Sequence, residues 1–150
     1  MRRLAPVFAL AALAAGCGSS GVSEAEYERS VQQASQRADA ALAHITNDPS
    51  GREELLLRMD EAALEIDETA EDLSRAGSPE KFEDETTELV SSLRQLAVDL
   101  SATAEQIRQP DFSGLLEGTQ GLSFESWVKV NEALKKLRQQ GIEAPPLGRH

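Results

Sequence analysis

The sequence predicts an all-α fold: an up-down antiparallel helical bundle of three long helices plus a shorter fourth, preceded by a separate N-terminal segment. Of its 150 residues 40% are hydrophobic but only 4% are aromatic, and Ala and Leu, which favour helices over strands, supply most of the apolar content. Apolar residues also recur every three or four positions, as on the buried face of a helix. A chain of this length is expected to build one core.

The first helix is predicted to begin at Ser23, which opens a Ser-Glu-Ala-Glu capping box. In this motif the Ser hydroxyl accepts from the amide three residues on, while the Glu26 carboxylate accepts from the Ser23 amide. Val22 and Tyr27 can form the accompanying hydrophobic staple. The apolar face of the helix consists of Tyr27, Val31, Ala34, Ala38, Ala41, Leu42 and Ile45.

The second helix is predicted to follow a short break, with Asp48 as its cap and Pro49 in its first turn. Proline is tolerated there because the first amides of a helix have no intrahelical acceptor. Gly77 can take the left-handed conformation that commonly ends a helix. The apolar face consists of Leu55, Met59, Ala62, Ile66, Ala70 and Leu73.

The third helix has the most regular pattern and is predicted to follow Ser78 and Pro79, a second cap-and-proline pair. Its apolar positions alternate steps of four and three, which is typical of a coiled-coil-like seam. They are Phe82, Thr86, Leu89, Leu93, Leu96, Leu100, Thr103 and Ile107. Because the links between helices are short, the first three are expected to run up, down, up around one core.

A shorter fourth helix is predicted from Ser123 to Gln140. Gly141 is expected to end it in a Schellman-type motif, with Ile142 packing back on the helix. The inward positions are Trp127, Val130, Leu134 and Leu137.

The bundle domain is therefore expected to span residues 23–142. Pro145 and Pro146 prevent a further helix. Residues 143–150 are predicted to form a loose C-terminal tail.

Residues 1–16 have the three-part pattern of a secretory signal peptide. Arg2 and Arg3 give a basic start, an uncharged run extends from Leu4 to Ala15, and the last residues are small. The apolar run is about a dozen residues long, whereas a helix needs roughly 20 to span a bilayer. The segment is expected to be a cleaved signal rather than a permanent anchor.

The only cysteine, Cys17, directly follows Leu13-Ala14-Ala15-Gly16. This run resembles the lipobox of bacterial lipoproteins, although Ala14 stands where leucine is commonest. The resemblance implies cleavage before Cys17 by a type II signal peptidase, diacylglycerol on the sulfur, and a protein anchored by lipid to the extracytoplasmic face of the cell membrane. The alternative is an ordinary signal whose cleavage site happens to contain a cysteine.

Residues 17–22 are predicted to tether the lipid to the first helix. Gly18-Ser19-Ser20-Gly21 is a flexible spacer with a typical reach of about 12 Å, so the bundle is expected to lie close to the bilayer. More widely, the chain resembles small, Ala- and Arg-rich lipoproteins of actinobacterial type, whose mature part is a helical bundle of uncharacterised function. The shared features include the signal and the Pro79-Glu80-Lys81-Phe82 helix opening. This resemblance carries over no catalytic or binding residue.

The acidic charge balance argues against nucleic acid as a partner. The chain has 15 Lys and Arg against 26 Asp and Glu, and removing the signal with Arg2 and Arg3 leaves 13 basic residues. Binding to phosphate backbones or anionic lipid requires clustered basic residues. Membrane attachment is therefore expected only through lipid on Cys17.

The second and third predicted helices are rich in acidic residues, so a cation-binding protein is an alternative. Grouped carboxylates can bind Ca²⁺, but a solvated face looks the same, and no loop has a calcium-binding pattern. The acidic residues are Glu61, Glu65, Glu68 and Asp72, then Glu80, Glu83, Asp84, Glu85 and Glu88. No metal site is predicted, and Lys135, Lys136 and Arg138 are expected to pair internally with these acids and to offset the helix dipole.

No catalytic residue and no cofactor are predicted. A nucleophile needs a neighbouring base, but Cys17 is assigned to lipid. Neither His44 nor His150 has the Glu-x-x-His spacing of a bundle metal site.

Specific binding is most expected in residues 110–122 and beside them. This segment mixes glycines with large apolar residues, and irregular loops of this length tend to be functional or partly helical. The candidate partner-binding residues are Phe112, Leu115, Leu116 and Trp127. The alternative is that the apolar residues of this segment only cover one end of the bundle and that Trp127 is a core anchor.

The sequence therefore predicts a lipid-anchored, extracytoplasmic bundle that acts as a non-enzymatic interaction or structural module with an unidentified protein partner. A ligand- or cation-binding lipoprotein that uses the acidic helices is the alternative.

Overall fold

A computed structural model of the protein describes residues 21–109 and 124–148, and all regular structure in these residues is helical. Four α-helices follow in chain order: α1 Glu24–Thr46, α2 Arg52–Ala76, α3 Glu83–Arg108 and α4 Glu125–Gln139. A 3₁₀ turn at Glu80–Phe82 leads directly into α3. The prediction of an all-α bundle with three long helices and a shorter fourth is confirmed.

Side-chain pairs show that neighbouring helices run in opposite directions. Residues late in α1 face residues early in α2, and the start of α2 meets the end of α3. The same reversal holds between α3 and α4. The pairs are Arg37–Asp72, His44–Glu61, Asp60–Arg108, Glu88–Lys136 and Asp99–Ser126.

The N-terminus of α1 carries the predicted capping box. The Ser23 hydroxyl accepts from the Glu26 amide at 3.3 Å, and the Glu26 carboxylate accepts from the Ser23 amide at 3.1 Å. Hydrogen bonds from the Ser23 side chain and backbone lower the pKa of Glu26. Two backbone amides at the start of α1 thereby gain hydrogen-bond acceptors from side chains within the same turn.

The core is built from the predicted apolar faces. Tyr27, Val31, Met59, Ile66, Leu96, Leu100, Val130 and Leu137 are among its fully buried members, while Leu42, Leu55 and Thr103 are half-buried. The rings of Tyr27 and Phe82 stack with centroids 5.2 Å apart. Thr86 donates to the Phe82 carbonyl, so the Tyr27 hydroxyl donates to Thr86 at 2.6 Å. Burial raises the pKa of Tyr27 above its ordinary value, which keeps the phenol neutral.

The predicted start of α2 at Asp48 and Pro49 is wrong, because the helix begins at Arg52. Asp48 has φ of +50°, whereas an N-cap residue is normally extended. Gly51 takes the N-cap position and contributes no side-chain hydrogen bond. The Ser50 amide and hydroxyl instead donate to the Glu54 carboxylate, the amide at 2.8 Å.

Glu54 should make the stability of the bundle sensitive to acid. The Ser50 hydrogen bonds, with a smaller contribution from Arg58, lower the pKa of Glu54 from 4.5 to about 2. Since the folded pKa lies below the unfolded one, the stabilisation is complete above about pH 4.5 and is lost as the pH falls toward about 2. We expect the free energy of unfolding to decline less steeply over this range in Glu54→Gln than in the native chain.

Urea denaturation at several pH values, followed by circular dichroism, measures this difference. Glu53→Gln, which removes the charge of an exposed neighbour, is the control and should keep the native slope. Equal slopes in the native chain and Glu54→Gln would contradict the role given to the Ser50 bonds.

The C-terminus of α4 has the predicted Schellman geometry. The Gly141 amide donates to the Arg138 carbonyl and the Ile142 amide to the Leu137 carbonyl, both at 3.1 Å. Gly141 has φ of +93°, and Ile142 is buried. Gly77 ends α2 with a positive φ of +75° as predicted, but its ψ of 179° is extended rather than left-handed helical.

The prediction of a loose tail is wrong for residues 143–148, which we call the strap. Ala144 and Leu147 are 2% and 4% exposed, and the strap contacts both α1 and α4. Proline excludes a helix here but leaves an extended chain free to fill a groove. Helix α1 packs on α2, α2 on α3 and α3 on α4, so the strap closes the remaining side of the bundle.

Candidate interaction surfaces

Of the predicted site residues, only Trp127 lies in the part of the chain that the structure describes. Cys17 and the lipobox residues Leu13, Ala14, Ala15 and Gly16 precede residue 21, and Phe112, Leu115 and Leu116 fall between residues 110 and 123. The roles given to these residues stay predictions.

Trp127 lies in the first turn of α4, where its ring is half-buried against the core. Its indole Nε1 is also buried and has no hydrogen-bond partner among the described residues. A binding hot spot would present its ring to a partner, whereas most of this ring already packs on neighbouring residues. The geometry favours the core-anchor alternative for Trp127.

Several acidic residues of α2 and α3 pair with basic side chains of neighbouring helices. Arg37 of α1 contacts Glu65 at 2.7 Å and Asp72 at 2.8 Å, and the Arg37 bond lowers the pKa of Asp72. Lys136 of α4 pairs with Glu88 at 2.6 Å as predicted, whereas Arg138 of the same cluster donates to the Ala144 carbonyl instead of pairing with an acid. Such exposed pairs are worth little stability each, but they give Glu65, Asp72 and Glu88 a partner within the bundle.

A metal site would need several of these groups to converge. Within residues 21–109 and 124–148, no three His, Cys, Asp or Glu side chains are grouped so that they could hold a metal ion. His44 instead lies at the end of α1, 3.7 Å from the Glu61 carboxylate.

The outer face of α2 and α3 carries exposed large apolar side chains. Leu57 is 57% exposed, Leu64 61% and Val98 58%, and we call these three residues the apolar patch. Leu64 and Val98 line a shallow groove between the two helices, with Asp67 and Glu105 at its rim. Several apolar residues grouped on one face, rimmed by acids, are typical of an interaction surface.

Toward Gly77 the groove becomes polar while still including Val98. It is lined there by hydroxyl-bearing residues and by Arg94. Arg94 is exposed and has neither a hydrogen bond nor an ion pair with the described residues. The face therefore offers an apolar half and a polar half that includes Glu83 and the cation of Arg94. The sequence pattern did not single out this face.

The second surface is the groove between α1 and α4, where side chains of α4 hold the strap by its backbone. Asn131 accepts from the Leu147 amide at 2.8 Å and donates to the Leu147 carbonyl at 3.3 Å. Arg138 donates to the Ala144 carbonyl at 2.6 Å. A single amide side chain thus satisfies both backbone groups of Leu147.

Helix α1 supplies three more side chains to the strap. They lie on one face of the helix because the seven- and four-residue steps between them bring each back to the same side. The contacts are Glu28 with the Glu143 amide, Ser35 with the Pro145 carbonyl and Asp39 with the Gly148 amide. Ser35 is itself buried.

None of the helices in the described residues is both long and apolar enough to cross a membrane. No protein-family model, curated protein or solved structure matches the chain. Function is therefore inferred from the chain's own motif and surfaces.

Proposed function

We propose that this chain is a bacterial lipoprotein, a helical bundle held by lipid on Cys17 at the extracytoplasmic face of the cell membrane. There it acts as a non-enzymatic interaction or structural module. The observation that carries the proposal is the position of the only cysteine, directly after Leu13-Ala14-Ala15-Gly16 at the end of a signal-like segment.

The start of the folded domain supports a tether of this kind. Ser23 caps α1 only six residues after Cys17, and spacers of this length reach about 12 Å. Lipid at Cys17 would hold the bundle against the bilayer. Two or more acyl chains make such attachment stable.

The interaction role is supported by the outer face of α2 and α3. The apolar patch exposes more than half of each of its three side chains, and the neighbouring groove holds Arg94 without an ion pair to a described residue. Exposed apolar area costs solubility, and an interaction partner that covers it removes that cost.

Replacing Cys17 with serine is expected to abolish lipidation and processing together. Serine has no thiolate to accept diacylglycerol, so the chain should take up no palmitate analogue in growing cells and should keep the 16-residue signal. Ser20→Ala, which changes the spacer but not the cysteine, should be labelled and cleaved like the native chain. Gel fluorescence of membrane and soluble fractions, with mass spectrometry of the N-terminus, measures both.

A different behaviour of Cys17→Ser would contradict the proposed anchor. If Cys17→Ser were cleaved at the same position and stayed as firmly bound to membranes as the native chain, lipid on Cys17 would not be the anchor. The cysteine would then belong to an ordinary signal cleavage site.

A further inference from the structure

The strap has no regular secondary structure and runs parallel to α1. Its contacts run from Glu28 with Glu143 to Asp39 with Gly148. Asp39 lies eleven residues after Glu28, a helical rise of about 16 Å, and the five steps from Glu143 to Gly148 also cover about 16 Å in a polyproline-like chain. The agreement of the two lengths indicates that the strap is extended along the groove.

The groove recognises the strap mainly through its backbone. The six polar contacts described above all end on a strap N–H or C=O group, while Pro145 and Pro146 are exposed. Only Ala144 and Leu147 insert their side chains. Backbone hydrogen bonds with pockets for a few side chains are how proteins bind extended peptides.

Helix α4 ends before the strap begins. The Schellman bonds of Gly141 and Ile142 close the helix without any contact from residues 143–148. The strap itself is held by its backbone hydrogen bonds and by Ala144 and Leu147, which belong to the same core cluster as Ile142.

We propose that the groove between α1 and α4 is a peptide-binding site, occupied here by the chain's own strap. It takes a partner's extended segment of the same class: a small residue, two residues with exposed side chains, a leucine, and a following residue with a free amide. The proposal goes beyond the proposed interaction role, because it names a second site, apart from the apolar patch of α2 and α3. It does not depend on the lipid.

The test uses the full chain with Cys17→Ser, purified in detergent so that lipid plays no part, and a fluorescent peptide with the sequence of residues 143–150. In the native chain the strap occupies the groove, so only the fraction of molecules whose groove is free can bind the added peptide. The apparent affinity for the peptide is reduced in proportion to that fraction. Leu147→Asp places an unpaired carboxylate in the apolar position and displaces the strap. This variant is expected to bind the peptide at least about tenfold more tightly, as measured by fluorescence anisotropy.

Three controls define the site. Glu143→Gln, at an exposed strap position whose amide makes the contact, should bind the peptide as weakly as the native chain. Asn131→Ala in the Leu147→Asp background should lose most of the gained affinity, because both backbone bonds at that position disappear. A peptide with aspartate in place of leucine should not bind. Leu147→Ala is the milder variant and should show a smaller gain.

The proposal is overturned if Leu147→Asp and Leu147→Ala, each with native helix content by circular dichroism, bind the peptide no better than the native chain. The proposal is also overturned if Asn131→Ala leaves the peptide affinity of the Leu147→Asp variant unchanged. Dimers of the native chain that the peptide dissociates would support it, with a second copy's strap as the occupant. Failure here leaves lipidation of Cys17 untouched, since that is read out separately.

Discussion

Leu96→Ala is expected to destabilise the bundle by about 2–5 kcal/mol. Leu96 is fully buried at 0% exposure, in the middle of α3 and within the single core cluster. Truncation removes apolar area from the core and leaves a cavity that the surrounding helices fill only in part. Such a loss is a large fraction of the whole stability of a small domain.

Leu64→Ala provides a matched control, because Leu64 is 61% exposed on the apolar patch. The same three carbons are removed there from a site largely in water, and the free energy of unfolding should change by less than about 0.5 kcal/mol. Urea denaturation of both variants gives the comparison. Similar losses at the two positions would contradict the assignment of core and surface on this part of the bundle.

Ala104→Leu is expected to destabilise the bundle by about 1–3 kcal/mol, although it adds apolar area. Ala104 is 0% exposed, so three added carbons have to displace closely packed neighbours. Several other alanines are equally buried: Ala38, Ala70 and Ala133. Fully buried alanines therefore occur on all four helices.

Ala102 supplies the control on the same helix, since it lies two residues away and is exposed. Ala102→Leu should leave the free energy of unfolding within about 0.5 kcal/mol of the native value. Thermal denaturation or urea denaturation separates the two variants. If Ala104→Leu were as stable as Ala102→Leu, the core around α3 would have to contain unfilled space.

Features set by neighbouring residues were predictable from the sequence. The Ser23 capping box, the positive φ of Gly77 and the Schellman bonds of Gly141 and Ile142 each depend on nearby residues. The apolar faces were also predictable, because helical spacing alone decides which residues share a side.

Features that depend on contacts between distant residues were not predictable from the sequence. The strap depends on Ser35 meeting Pro145 and Asp39 meeting Gly148, contacts that join residues about 110 positions apart. The two prolines indicate only that this segment is not helical. The prediction for the start of α2 failed for a different reason. Asp48 adopts a positive φ, which its cap-like sequence does not reveal.

The candidate surfaces show the same division. Pairing of Lys136 with an acidic residue could be expected from charge alone, and Glu88 is that partner. The apolar patch and Arg94 escaped notice because they become one surface only when α2 and α3 pack side by side. Ser35 gave no local signal of the strap groove, because its burial is visible only in the folded chain.

Cross-linking in intact cells tests the central claim, a membrane-tethered interaction module, most directly. The native chain and Val128→Asp, altered at an exposed valine of α4 away from the apolar patch, should give the same specific cross-linked partner. Cys17→Ser should lose that partner because it is no longer lipidated, and Val98→Asp should lose it because a charge interrupts the patch. An unchanged cross-linking pattern in Cys17→Ser and Val98→Asp, or no specific partner in the native chain, would contradict the account.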